Sequence, residues 1–162
     1  MTGRERIRTV LAGGIPDRIP VMMHNFLQAA REAGMTMQEY RSSSDRIFKA
    51  MTESCERYEL DGILLDVDTA LLASACGASV RYPADIAAVT EDRQPRSIRQ
   101  LLDALPEVDL TKSDRIKLYL EAAEKLAVWC HKNGVYMRAN ADQGAFSLAC
   151  LLVGMNEFLT DL

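Results

Sequence analysis

The chain has 162 residues, 48% of them hydrophobic, which is enough for one domain with a substantial core. Its 19 basic and 23 acidic residues leave a net charge of −4 without any basic block, so there is no field for nucleic acid or an anionic membrane surface. No apolar run reaches the roughly 20 residues of a spanning helix, and the opening MTGRERIR lacks the apolar core of a signal peptide, which leads to the expectation of a cytoplasmic protein.

Thr2 is placed to cap a first helix, with Ile7, Val10 and Leu11 on one side and Gly13-Gly14 at its end. Pro16-Asp17-Arg18 turns the chain into a short strand, Ile19 to His24, which ends in the polar pair His24 and Asn25. Two weaker helical stretches follow, Leu27 to Ala33, stopped by Gly34, and Met37 to Arg41. Ser42-Ser43-Ser44 then opens a longer helix in which Ile47, Met51, Cys55 and Tyr58 recur at four, four and three residues, a stripe facing a core.

The stretch Asp61 to Gly77, DGILLDVDTALLASACG, is the centre of the chain. Its apolar run gives way to two carboxylates: Asp66 and Asp68 leave an extended backbone on one side, Ile63, Leu65 and Val67 on the other. Ala70 to Cys76 is helix-compatible, with Thr69 placed to cap it and Gly77 to stop it. Strand, loop and helix with carboxylates in the loop is the arrangement that forms ligand sites in parallel α/β folds.

Beyond it, Ser79 to Pro83 reads as extended, Pro83 to Pro95 as an irregular surface excursion, and Ser97 to Ala104 as a short helix broken by Pro106. Thr111 or Ser113 caps the best helix, which runs to Lys132 with Ile116, Leu120, Ala123, Ala127 and Cys130 on one apolar face and Asn133-Gly134 at its close. A strand over Val135 to Asn140, a turn at Gly144, a helix from Phe146 to Val153 stopped by Gly154, and a last helix from Asn156 to Leu162 complete the chain. The four cysteines have no paired spacing, so they read as buried thiols rather than disulfides or metal ligands.

Three strands separated by helices predict a parallel sheet, because parallel neighbours need such crossovers. The whole, residues 1–162, reads as a single α/β domain. A closed eight-stranded barrel takes about 250 residues, so the chain looks like part of something larger.

The segments RERIRTVLAGGIPDRIPV, DGILLDVDTALLASACGASVRYP and NADQGAFSLACLLVG, in this order and at these separations, resemble successive signatures of the uroporphyrinogen decarboxylase superfamily. That superfamily also contains corrinoid-dependent methyltransferases acting on thiols. The resemblance implies the N-terminal half of a TIM (βα)8 barrel. It also puts Asp68, nine residues before Gly77, at the position of the decarboxylases' catalytic aspartate. The arginine-rich segment with which decarboxylases bind substrate carboxylates has no good counterpart, since HNFLQAAREAG holds only Arg31. The wording of the opening and of LLDVDTAL is more similar to the methyltransferase branch.

For a full-length methyltransferase the resemblance implies zinc, bound by a His-x-Cys pair and a later cysteine, together with a corrinoid protein. Neither His24 nor His131 has that spacing, so no metal ligand is expected here. The partners expected are a small-molecule substrate or a corrinoid protein, and either a second copy of the chain or a complementary C-terminal half. Porphyrinogen decarboxylation and a non-catalytic half-barrel are the alternatives to methyl transfer.

Five residues are candidates for the site. Asp68 is the catalytic candidate, with a helix cap as its bland alternative. Asp66 reads as a partner for a buried arginine. Arg138 and Asn140 share one face of the third strand, and Arg138 is either the partner of Asp66 or Asp68 or a substrate clamp, with structural pairing preferred. His24 lines the mouth at the end of the first strand or is a hydrogen-bonded structural residue. Cys130 beside His131 is a core cysteine rather than a catalytic pair, because helix neighbours point about 100° apart.

Overall fold

The computed structural model describes residues 1–91, 98, 99, 102, 108–141 and 144–161. Its elements in chain order are α1 (Gly3–Leu11), β1 (Met22–Met23), α2 (Phe26–Glu32), α3 (Met37–Tyr40), α4 (Ser44–Arg57), β2 (Gly62–Leu65), α5 (Leu71–Ala75), β3 (Val80–Arg81) and β4 (Val89–Thr90). A 3-10 turn, Leu110–Lys112, leads to α6 (Asp114–Lys132), β5 (Tyr136–Ala139), α7 (Ala145–Val153) and α8 (Met155–Asp161). The helix expected over Ser97 to Ala104 falls mostly, and the break at Pro106 wholly, outside the described residues. Two compact units result: Met1–Val67 with Leu118–Asn140, and Asp68–Lys117 with Ala141–Leu162.

The first unit is built on a parallel sheet in the order β1-β2-β5. Met22 and Met23 pair with Gly62 and Ile63, and Gly62 to Leu65 pair in turn with Tyr136 to Ala139. The first strand is far shorter than Ile19 to His24, because Ile19 and Val21 stand exposed before it. Ile63 and Leu65 are buried, and so are Ile47, Met51 and Cys55 on α4, which packs against β2. Each such fully buried aliphatic side chain stabilises the fold by about 1.5–3 kcal/mol. Tyr58 does not continue that stripe: it is the C-cap of α4, exposed, and its hydroxyl donates to Glu32.

On α6 the buried residues are Tyr119, Ala122, Leu126 and Cys130. The expected face is therefore rotated, with Leu120 54% exposed and Ala127 on the surface. Both sets have helical spacing and share Cys130, so periodicity alone could not choose between them. Tyr119, whose hydroxyl donates to the carbonyl of Asn140, turns inward.

Helix α1 closes the end of the sheet where the strands begin. Thr2 and Glu5 form a capping box, and the amide of Arg4 donates to the carbonyl of Gly134 at 2.8 Å. Asp61, immediately before β2 and 1% exposed, accepts from Arg6 Nη1 at 2.8 Å and from Arg18 Nη1 and Nη2 at 2.8 and 3.0 Å. Its Oδ2 also accepts from the amide of Val21 at 2.8 Å. This charge network, which has no pattern in the sequence, binds α1 and the segment before β1 to the start of β2.

In the second unit, the loop after β2 enters α5, and α5 packs on α7. The N-cap position of α5 is Ala70, not Thr69, and the amide of Ala70 is held by the Asp68 carboxylate at 2.9 Å. Gly77, with φ of +92°, ends the turn after α5 in a conformation that side chains resist. The excursion after Pro83 is not wholly irregular: β4 pairs antiparallel with β3, Val80 beside Thr90 and Arg81 beside Val89. A two-residue pairing is too short to leave an alternating pattern.

Candidate functional site

The C-terminal ends of the three parallel strands bring together His24, Asp66 and Asn140. Asp66 Oδ2 lies 2.8 Å from His24 Nε2 and accepts from Asn140 Nδ2 at 3.0 Å. Asp66 Oδ1 accepts from the amide of Val67 at 2.8 Å. The carboxylate is thus buried and satisfied at both oxygens. An ionised carboxylate only accepts, so the ring nitrogen facing it, Nε2, carries hydrogen.

Two tyrosines hold the backbone beneath these side chains. Tyr40, fully buried on α3, donates its hydroxyl to the carbonyl of Asp66 at 2.8 Å, while Tyr119 grips Asn140. The amide of Asn140 continues the ladder onto Leu65 at 3.0 Å. Beside His24, the Asn25 amide group donates to Ser54 at 2.8 Å, and the Phe26 ring lies 5.5 Å from the imidazole at a tilt of 40°. The histidine side chain itself is 50% exposed. Neither tyrosine was legible as a site residue, because each sits at an ordinary helical position and acts only through a strand end remote in the chain.

Among the described residues Asp66 therefore pairs with a histidine and an asparagine, not with an arginine. Arg138, opposite Leu64 in the ladder, is exposed and forms no ion pair among the described residues. Strand alternation puts it on the same sheet face as Asn140. Pairing of Arg138 with either aspartate is thus corrected, since both carboxylates have other partners.

Asp68, in the second unit, is 1% exposed. Its Oδ1 accepts from the amide of Ala70, the residue at the N-cap position of α5, and its Oδ2 is paired with Arg115 Nη2 from the first turn of α6. The Arg115 guanidinium lies 4.0 Å above the Tyr82 ring. Arg115 was missed by the sequence reading, as a single arginine in a helical first turn carries no signal of its partner. A cavity of about 610 Å³ in the same unit is lined by Thr69, Ser79, Glu91, Phe146, Cys150 and Glu157, among others.

All four cysteines are free thiols. Burial pushes Cys55 up to about 11 and Cys130 up to about 12, far from nucleophilic chemistry. Among the described residues no group of three His, Cys, Asp or Glu side chains could hold a metal ion. Also among the described residues, no helix is long and apolar enough to cross a membrane.

The family model for uroporphyrinogen decarboxylase (URO-D) matches residues 2–162. Among solved structures, a methyltransferase from Methanosarcina mazei superposes with a TM-score of 0.79 at 20% identity. The match covers 99% of this chain and 48% of that one, so the chain spans about half the length of that structure. At this identity the likeness is one of fold: parallel strands alternating with helices, as in part of a TIM (βα)8 barrel. No curated protein matches the chain.

Proposed function

The chain belongs to the uroporphyrinogen decarboxylase family, and from that premise we propose that it serves the family's methyltransferase branch, carrying a methyl group from a methylated corrinoid to a thiol. The observation that carries this reading is the charge of the strand ends. Arg31, the only arginine in the segment that binds substrate carboxylates in decarboxylases, is exposed, while Phe26, Ala29 and Ala30 are the buried residues of its helix. The side chains hydrogen-bonded to one another at the strand ends of the first unit are a carboxylate, an imidazole and an amide, with the Arg138 guanidinium on the same sheet face. A polyanionic porphyrinogen needs guanidinium partners, whereas a neutral thiol does not.

In this reading His24, Asp66 and Asn140 form the polar part of the substrate site, with the Arg138 guanidinium on the sheet face of Asn140. Asp68 keeps the role of catalytic carboxylate on its sequence position, with Arg115 as its counter-ion. Zinc, when bound in a full-length enzyme, would stabilise a thiolate. The corrinoid arrives on a partner protein. Self-association, or pairing with a complementary half, belongs to the same reading, because among the described residues β1 and β5 are the edges of the parallel sheet. Light scattering over a range of concentrations tests that assembly.

Porphyrinogen decarboxylation is the second reading, supported by the description of the family model and by the sequence position of Asp68. Incubating the chain with methylcobalamin and a thiol, and separately with uroporphyrinogen, decides between them. Formation of the thioether with loss of the methyl–cobalt chromophore is expected. Coproporphyrinogen in the second reaction would overturn the methyltransferase reading.

A further inference from the structure

We propose that His24 is the proton acceptor for the substrate's S–H group, with Asp66 and Asn140 as positioning residues that fix which ring nitrogen does the work. This rests on the methyltransferase reading and deepens it. Three observations carry it.

The first is the tautomer. Asp66 accepts from Val67, Asn140 and the imidazole, all within 2.8–3.0 Å. A carboxylate in that setting forces hydrogen onto Nε2, and a neutral ring then bears its lone pair on Nδ1.

The second is availability. Among the described residues nothing is hydrogen-bonded to Nδ1, and the side chain is half exposed although the carboxylate behind it is buried. A base oriented by a buried acid and open at its other nitrogen is the arrangement that general-base catalysis requires. His131 makes the contrast. Its Nδ1 lies 2.7 Å from Arg4 Nη1, so its lone pair is already used.

The third is rigidity. The groups that orient the ring are themselves held: Tyr40 binds the Asp66 carbonyl and Tyr119 the Asn140 carbonyl, while Asn25 anchors the turn after β1 to Ser54 of α4. A merely surface histidine needs no such scaffold.

The S–H bond of the thiol breaks, its electron pair stays on sulfur, and the proton forms an N–H bond at Nδ1. The product is a thiolate beside an imidazolium whose charge faces the Asp66 carboxylate. No oxidant or reductant is consumed, and the proton later leaves to water.

The test uses the chain itself with 2-mercaptoethanol as probe. Long-range nitrogen NMR of the histidine-labelled chain is expected to show His24 as the Nε2–H tautomer, with the Nδ1–H form appearing in Asp66→Asn. Thiol binding by calorimetry and ultraviolet difference absorption of the thiolate are then compared between the wild type and His24→Gln. Glutamine still donates to Asp66 but has no basic nitrogen, so the fold should survive, as circular dichroism will check. Thiolate absorption in the wild type and its loss in His24→Gln is the expected result. Bound thiol that stays un-ionised, or an Nδ1–H tautomer in the wild type, overturns the inference alone. Equal thiolate in the two proteins does the same. Absence of thiol binding in both overturns the inference together with the thiol part of the methyltransferase reading.

Discussion

Gly3 lies directly against the backbone of Asp61: a β-carbon on Gly3 would stand 2.4 Å from the Asp61 carbonyl oxygen and 2.5 Å from its Cα. Backbone cannot move aside as a flexible side chain does, so even one methyl group must lift α1 from the start of β2. Gly3→Ala is expected to destabilise the chain by about 1–3 kcal/mol, read from denaturant midpoints. Gly144→Ala is the control: nothing lies within 4 Å of its added carbon and its φ is −65°, so a change within about 0.5 kcal/mol is expected.

Asp61 faces two guanidiniums from a buried position. Asp61→Asn keeps an acceptor for the Val21 amide but leaves Arg6 and Arg18 without their shared counter-charge, and should cost about 3 kcal/mol. Arg18→Ala should cost less, about 1 kcal/mol, because its side chain is 45% exposed and Arg6 still holds Asp61. Thermal unfolding of the three proteins gives the order directly.

Acid should weaken the same corner of the molecule. The Arg6 guanidinium, then the N-terminal ammonium, hold the Asp17 carboxyl well below the usual carboxylate range. A depressed folded-state value means a contribution that is present above the unfolded carboxylate pKa of about 4 and fades as pH falls toward the folded value. Asp17→Asn should therefore be less stable than the wild type near neutrality, and the difference should shrink on acidification. Urea midpoints across that range measure it. A constant difference at every pH would show that the carboxylate charge is not what Asp17 contributes.

Thiol labelling should follow burial. Cys55 and Cys130 are buried in the first unit and their thiols are raised by that burial. Cys76, only partly buried, is also raised by burial but has access to solvent. Iodoacetamide at neutral pH is expected to modify Cys76 first, with Cys55 and Cys130 reacting only after denaturant is added. Peptide mass analysis over time decides it, and early modification of Cys130 would contradict the core placement.

The sequence by itself determined the elements that local chemistry specifies. Thr2 with Glu5, Ser43 before α4 and Gly77 after α5 signal helix ends through hydrogen bonds and backbone angles that involve only near neighbours. The apolar run at β2 and its place between two other strands likewise follow from period and order, and so does the parallel sheet. Partner choice was decided by tertiary structure alone. Asp66 is extended-strand chemistry on paper, yet whether it meets Arg138 or His24 depends on strand register and on which strand end reaches its oxygen. Asp68 acquired Arg115 from a helix 47 residues away, and α6 turned Tyr119 inward in preference to Leu120 although both positions suit an apolar stripe. Periodicity and capping are functions of sequence separation over a few residues. The pairing of charges and the choice between two plausible helix faces are functions of distance in space, which exists only once the chain has folded.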